Sequence, residues 1–215
     1  MNFSRRAAAS IVLALLMLGA ALASSASATT PAWIVAGSPL VSGATEALAE
    51  STSVTEAFAI KGKTGGVSWN VQCTTMKLHE SLIEGERTRK DNPIQMGGCV
   101  LSGLPHCAVP SAIEFAPLTS TLEGTAGSFK LKFAPSSGTE VVTVNISGAE
   151  CIAVGSFIVT GTMSCDYPGV ETEQKNHTLE FTLTSGSELK HGTEAVKLTG
   201  KDEFWLTSGK SWKVA

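Results

Sequence analysis

Apolar and polar residues alternate with a period of two along four stretches of the chain. Val67, Trp69, Val71 and Cys73 interleave with Ser68, Asn70 and Gln72; Phe129, Leu131 and Phe133 with Lys130 and Lys132. Val142, Val144 and Ile146 form a third set, and Leu179, Phe181 and Leu183 a fourth, with Glu180 and Thr182 opposite. A period of two sends successive side chains to opposite faces, so each stretch predicts a half-buried strand. Weaker strand candidates are Trp33 to Ala36, Ser53 to Ile60, Ile94 to Leu101, Ala112 to Ala116, Leu118 to Leu122, Ser156 to Thr162, Ala195 to Leu198 and Phe204 to Leu206. Turn signals separate them at Gly65-Gly66, Gly97-Gly98, Pro135 to Gly138, Gly148, Ser185-Gly186 and Ser208-Gly209, with Gly97-Gly98 also readable as a bulge. Only Ala44 to Ala59 has a helix-like composition, and its Thr52, Val54 and Thr55 and mixed apolar spacing argue against a helix there. The pattern predicts an all-β fold, an antiparallel β-sandwich or Greek-key barrel of short strands.

Composition supports the same class. Gly (21), Ser (24) and Thr (23) are abundant and charged residues make up 16% of the 215, a mixture that favours turns and pleated strands over helices. Met1 to Ala28 has the layout of a signal peptide: Arg5 and Arg6, an apolar run from Ala7 to Ala23, then Ala26-Ser27-Ala28 before Thr29. Ser4-Arg5-Arg6 has part of a twin-arginine signal, but the strongly apolar run favours the general secretory route. Cleavage after Ala28 would leave one domain, 29–215, with no transmembrane anchor, and loss of Arg5 and Arg6 would take the formal charge from −3 to −5. Such a balance supplies no basic face for nucleic acid.

All five cysteines lie in the exported part, where an oxidising compartment makes disulfides the expectation. Spacing alone does not choose among the two-bridge arrangements. The favoured set is Cys73 with Cys99 and Cys107 with Cys151; the rival is Cys99 with Cys107 and Cys73 with Cys151. Cys165, in a polar loop with Asp166, Tyr167, Pro168 and Gly169, is the candidate free thiol, although a Cys151 to Cys165 bridge would also close a hairpin. A faint duplication relates 37–43 to 186–192 and Thr45-Glu46-Ala47 to Thr193-Glu194-Ala195, which suggests one turn-then-strand unit used at both ends and paired in one sheet.

Several of these features occur together: Trp33, Cys73, Gly98-Cys99-Val100, Leu104 to Val109, Pro117-Leu118, Gly148 to Cys151, Gly161 and His177 to Phe181. Their arrangement resembles a group of secreted β-rich proteins of unknown function from actinobacterial (high-GC Gram-positive) soil bacteria. The resemblance spans nearly the whole exported chain, implies a small exported β-rich protein and carries over no active site. Four cysteines match its pattern, and Cys165 does not.

Catalytic signatures are missing from the sequence. His79-Glu80 lacks the second histidine of a zinc-protease helix, and His106-Cys107 with Cys99 lacks metal-ligand spacing. There is no nucleophile elbow and no phosphate loop. Three aspartates and four scattered histidines suggest no local triad, and Glu84 with Glu86 reads as part of a solvated loop, Glu84 to Asn92. No cofactor or metal is implied. The functional hint is aromatic. Trp205, between Phe204 and Leu206, points away from their face, and Trp212 and Tyr167 stand among polar residues, so these three are candidate contacts for a sugar or a protein. The competing reading buries Trp205 between sheets and has Trp33 and Trp212 cap the ends of the fold. The sequence therefore points to a non-enzymatic structural or adhesive module outside the cytoplasm, with cell-wall polysaccharide or an envelope protein as partner. The alternatives are a carrier for a small apolar ligand and a hydrolase with an unrecognised site.

Overall fold

The computed structural model describes residues 30–51, 53–181 and 188–215; the segment Met1 to Ala28 expected to be a signal peptide, Leu183, and the start of the second repeat copy, Gly186-Ser187, lie outside the described residues. The described residues contain no helix, and their strands run in chain order as follows. The first third contains β1 (Trp33–Val35), β2 (Ser38–Pro39), β3 (Thr45–Glu50), β4 (Glu56–Thr64), β5 (Val67–Cys73), β6 (Thr75–Leu78) and β7 (Ser81–Glu84). Next come β8 (Thr88–Asp91), β9 (Ile94–Gly97), β10 (Val100–Ser102), β11 (Ala112–Glu114), β12 (Leu118–Glu123), β13 (Lys130–Pro135) and β14 (Glu140–Ile146). The last are β15 (Gly155–Thr160), β16 (Met163–Asp166), β17 (Asn176–Phe181), β18 (Lys190–His191), β19 (Glu194–Ala195), β20 (Lys197–Leu206) and β21 (Trp212–Val214).

Eight of these strands close a barrel. The order round it is β3, β7, β8, β12, β13, β16, β17, β20, and β20 pairs back onto β3 through Phe204 opposite Glu50, Trp205 opposite Ala49 and Leu206 opposite Leu48. All pairings are antiparallel and the neighbours follow chain order, so the barrel is an up-and-down one and not a Greek key. Closure removes the free edges that so many short strands would otherwise expose.

The alternate direction of the strands gives the barrel two different ends. At one end the connections are short: 85–87 joins β7 to β8, 124–129 joins β12 to β13, and 167–175 joins β16 to β17. There β1 pairs with both β2 and β21, placing both ends of the described chain over this opening. At the other end every connection is a long excursion. The segment between β3 and β7 contributes β4 to β6, that between β8 and β12 contributes β9 to β11, that between β13 and β16 contributes β14 and β15, and that between β17 and β20 contributes β18 and β19. These excursions pair with one another in a lobe: β6 and β11 flank β9, β10 extends β5 and β4, and β14, β15, β18 and β19 form a sheet. The ten-residue β20 runs through both parts, bonding β4 with its first half and β3 with its second.

Two disulfides staple the lobe. Cys73 is bonded to Cys99, linking the first and second excursions, and Cys107 to Cys151, linking the second and third. Cys165 is free and buried.

Four expectations need correction. Cys165 lies on strand β16 facing the barrel interior, not in a polar loop, because Leu131 stands opposite it on β13 and the strand buries that face. The stretch Glu84 to Asn92 is not a solvated loop: only 85–87 turns, and β8 buries Arg89 and Asp91 inside the barrel. Ile94 to Leu101 is two strands, since Gly98 at φ +61° turns the chain and starts a different sheet. The duplicated segments are not paired, because β2 belongs to the end cap and β18 to the lobe.

Candidate functional site

The interior of the barrel is the first place to look for chemistry. Leu48, Ile83, Leu122, Leu131, Phe133, Leu179, Phe204 and Leu206 fill it, all buried, with a charged group among them. Arg89 donates to Asp91 Oδ1 from Nε at 2.8 Å and from Nη2 at 2.6 Å, and the Ser81 hydroxyl donates to the same oxygen. The guanidinium lies 4.9 Å from the centroid of Phe204 and 5.8 Å from that of Phe133, within range of their negative faces. Ser81 and Asp91 meet without an imidazole, so this is a paired charge in a core and not a nucleophile with its base. The Cys165 thiol is in the same interior. Burial pushes its pKa well up, with the nearby Arg89 charge opposing, which keeps it protonated and unreactive.

The histidines do not converge. His79 borders a shallow open cleft with Glu80, Asn92, Pro93 and Glu114. His106 is exposed, 3.7 Å from Glu150. His177 is buried at the capped end, its Nε2 2.7 Å from the Trp212 carbonyl, and burial lowers its pKa. His191 packs on Phe157 in the lobe with Nδ1 3.1 Å from the Ile158 carbonyl. Glu84 accepts hydrogen bonds from Lys90 and Thr88, which hold its pKa down, and Glu86 accepts one from Ser42. Among the described residues no group of three or more His, Cys, Asp or Glu side chains could hold a metal ion.

The aromatic candidates separate. Trp212 is 0% and Tyr167 3% exposed, so neither is a surface contact. With Trp33 and His177 they plug the short-loop end of the barrel: Trp212 is 5.8 Å from Trp33, 5.9 Å from Tyr167 and 4.4 Å from His177, ring to ring. Their polar neighbours misled because β21 lies across the barrel mouth, where Trp212 Nε1 donates to the Lys175 carbonyl. Trp205 is different. It is half-buried on the outer wall, with Ala49 opposite on β3 and Asn176 opposite on β17.

A further surface feature went unread in the sequence. Ile152 and Val154 are 73% and 61% exposed on either side of the buried Ala153, in the loop that follows Cys151. Ile158, four residues further on, is also exposed on β15. The Cys107 bridge and the backbone pairing of Ala108 with Ser147 pin this loop. Beside it the backbone is unusual: His106 has φ +60°, and a Cβ on Gly148 would lie 2.0 Å from the His106 carbonyl oxygen. An exposed Ile-x-Val after a cysteine carries no signal in sequence, because whether it faces the core depends on how the excursions pack. Compared with known proteins, the chain matches no family model, no curated protein and no solved structure.

Proposed function

We propose that this chain is exported and acts at the cell envelope or in the surrounding medium as a non-enzymatic adhesive module. The barrel is its scaffold and the stapled lobe its contact surface, which binds an envelope protein. The exposed pair Ile152 and Val154, on a loop tethered by the Cys107 to Cys151 bridge, carries this reading. Large apolar side chains held out on a rigid loop bury area on a partner at little entropic cost. Two disulfides, and no helix among the described residues long and apolar enough to cross a membrane, are compatible with an extracellular protein. The filled barrel interior favours a scaffold over a carrier for an apolar ligand, and the dispersed histidines favour binding over hydrolysis.

Retention of the purified protein on washed envelopes of the producing cells tests this. Ile152→Ser with Val154→Ser is expected to lower retention at least tenfold without moving the unfolding midpoint; undiminished retention, or turnover of a polymer or ester by the wild type, refutes the proposal. A second reading rests on Trp205, whose ring on the outer wall is a stacking platform for cell-wall polysaccharide. Under that reading Trp205→Ala, and not the lobe variant, abolishes retention, and soluble glycan competes.

A further inference from the structure

Four lysines scattered in sequence meet on the outer face of the lobe. Ile60 and Gly62 of β4, Trp69 and Val71 of β5 and Leu198 of β20 are buried, so the residues that alternate with them face outward, among them Lys61, Lys63 and Lys197. Lys197 stands directly opposite Lys61 across one side of β4, and on the other side Asn70 is opposite Lys61 and Ser68 opposite Lys63. The Cβ atoms of such a cross-strand pair are about 5 Å apart, and like charges held so close repel. Val196 is buried between the exposed Ala195 and Lys197, so the same face continues onto β19, where Lys190 of β18 stands opposite Ala195. All four lysines are exposed, and among the described residues none forms an ion pair, whereas Lys201, farther along β20, is held by both Glu56 and Glu180. The residues outside the description include no Asp or Glu, so they could not supply the counter-charge. Beside the lysines, β5 turns Ser68, Asn70 and Gln72 outward, and the Asn70 carboxamide is fixed by donating from Nδ2 to Ser102 Oγ at 3.1 Å.

We propose that this face binds an acidic polysaccharide, whose carboxylates meet the four ammonium groups and whose hydroxyls meet Ser68, Asn70 and Gln72. The chain as a whole is acidic, so the complementarity comes from the local clustering and not from net charge. A polymer suits the face better than a small anion does, because Lys61 and Lys63 stand about 7 Å apart along β4 and the positive row continues across the strands to Lys190. Side-chain hydroxyls and carboxamides both donate and accept, as sugar hydroxyls require. Among the described residues this face carries no aromatic ring on which a nucleic-acid base would stack. The site is separate from Ile152, Val154 and Trp205, and it goes beyond the adhesive reading without resting on it.

Calorimetric titration of the full exported chain with polygalacturonate tests this, with the fully methyl-esterified polymer, polyphosphate and phosphatidylglycerol vesicles titrated alongside. Polygalacturonate is expected to bind, and more weakly as salt is added. Lys61→Gln/Lys63→Gln/Lys197→Gln should lower its affinity about tenfold. Lys77→Gln/Lys132→Gln/Lys175→Gln, which removes the same charge from exposed lysines elsewhere, should leave the affinity at the wild-type value. No binding, equal losses in the two triple variants, or equally tight binding of the methyl ester, polyphosphate or vesicles overturns the proposal. Ile152→Ser with Val154→Ser should leave polygalacturonate binding unchanged, so failure of the adhesive reading and failure of this one are told apart; a loss in that variant would contradict a separate site.

Discussion

Replacing Cys107 and Cys151 by alanine would remove the staple between the second and third excursions and leave every barrel strand untouched. The two residues are 44 apart in sequence, for which the loop-entropy relation gives roughly 4 kcal/mol at 25 °C; the 26-residue separation of Cys73 and Cys99 gives roughly 3.5 kcal/mol. The loss should be local. Without the sulfur link, the second and third excursions keep the bridges Ala108 to Ser147 and Phe115 to Val142, the Ser136 to Pro117 hydrogen bond and the packing of β11 on β14, while the barrel keeps its closed ladder. Opening of the lobe is therefore expected before opening of the barrel, as a sub-global event of lower free energy. Limited proteolysis read by mass spectrometry, alongside urea unfolding, measures this. The double variant should be cut first within 103–111 and 147–155, with 118–135 and 197–206 surviving to higher urea, and it should lose Ile152-dependent retention on envelopes. First cuts inside β12 or β13, or a wild-type midpoint, would refute the division into barrel and stapled lobe.

Other perturbations follow from single residues. Asp202 is buried where β20 passes from β4 to β3; desolvation, aided by the nearby Glu50 and Glu203 charges and opposed by the Glu203 backbone N–H, raises its pKa to about 7. Its contribution to stability is thus complete below about pH 4 and lost as pH rises to about 7, on the order of 4 kcal/mol. Asp202→Asn should remove that slope, so the difference in urea midpoints between variant and wild type must change between pH 4 and pH 8; a constant difference counts against it. Arg89→Met alone strands the Asp91 carboxylate and should cost about 3 to 5 kcal/mol, whereas Arg89→Met/Asp91→Leu should cost much less, as chemical denaturation would show. Gly148→Ala drives a Cβ into the His106 carbonyl and should lower stability by about 2 kcal/mol or more. In the unreduced protein a thiol reagent should find no reactive group until denaturant exposes Cys165, and then one.

What could be read from sequence tracked how the chain buries its faces. Val67 to Cys73 and Phe129 to Phe133 bury alternate apolar residues, so their strands were visible in the period of two. Thr88 to Asp91 is a strand of the same kind, but its inward side chains are Arg89 and Asp91, and charge on the core face erased the signal. The two charges pair with each other along β8, but burial also needs the Ser81 hydroxyl from β7 and the Phe133 and Phe204 rings, and of these the rings are too far off in sequence to be visible locally. Trp205 alternates with Phe204 and Leu206, so its outward direction was legible; Tyr167 lies just past β16 and Trp212 alternates with Val214 over only three residues, and the cap that covers them forms only when β21 meets β1. The closure of β20 onto β3, about 160 residues apart, and the gathering of the excursions at one end are properties of topology alone.

Cross-strand nuclear Overhauser contacts between β20 and β3 test the central claim, since those strands meet only if the barrel closes. Contacts from Leu206 to Leu48 and from Trp205 to Ala49 are the predicted result. A β3 bonded only to β7, with Trp205 facing another strand on that side, would contradict the fold on which the scaffold, the lobe and the buried charge pair all depend.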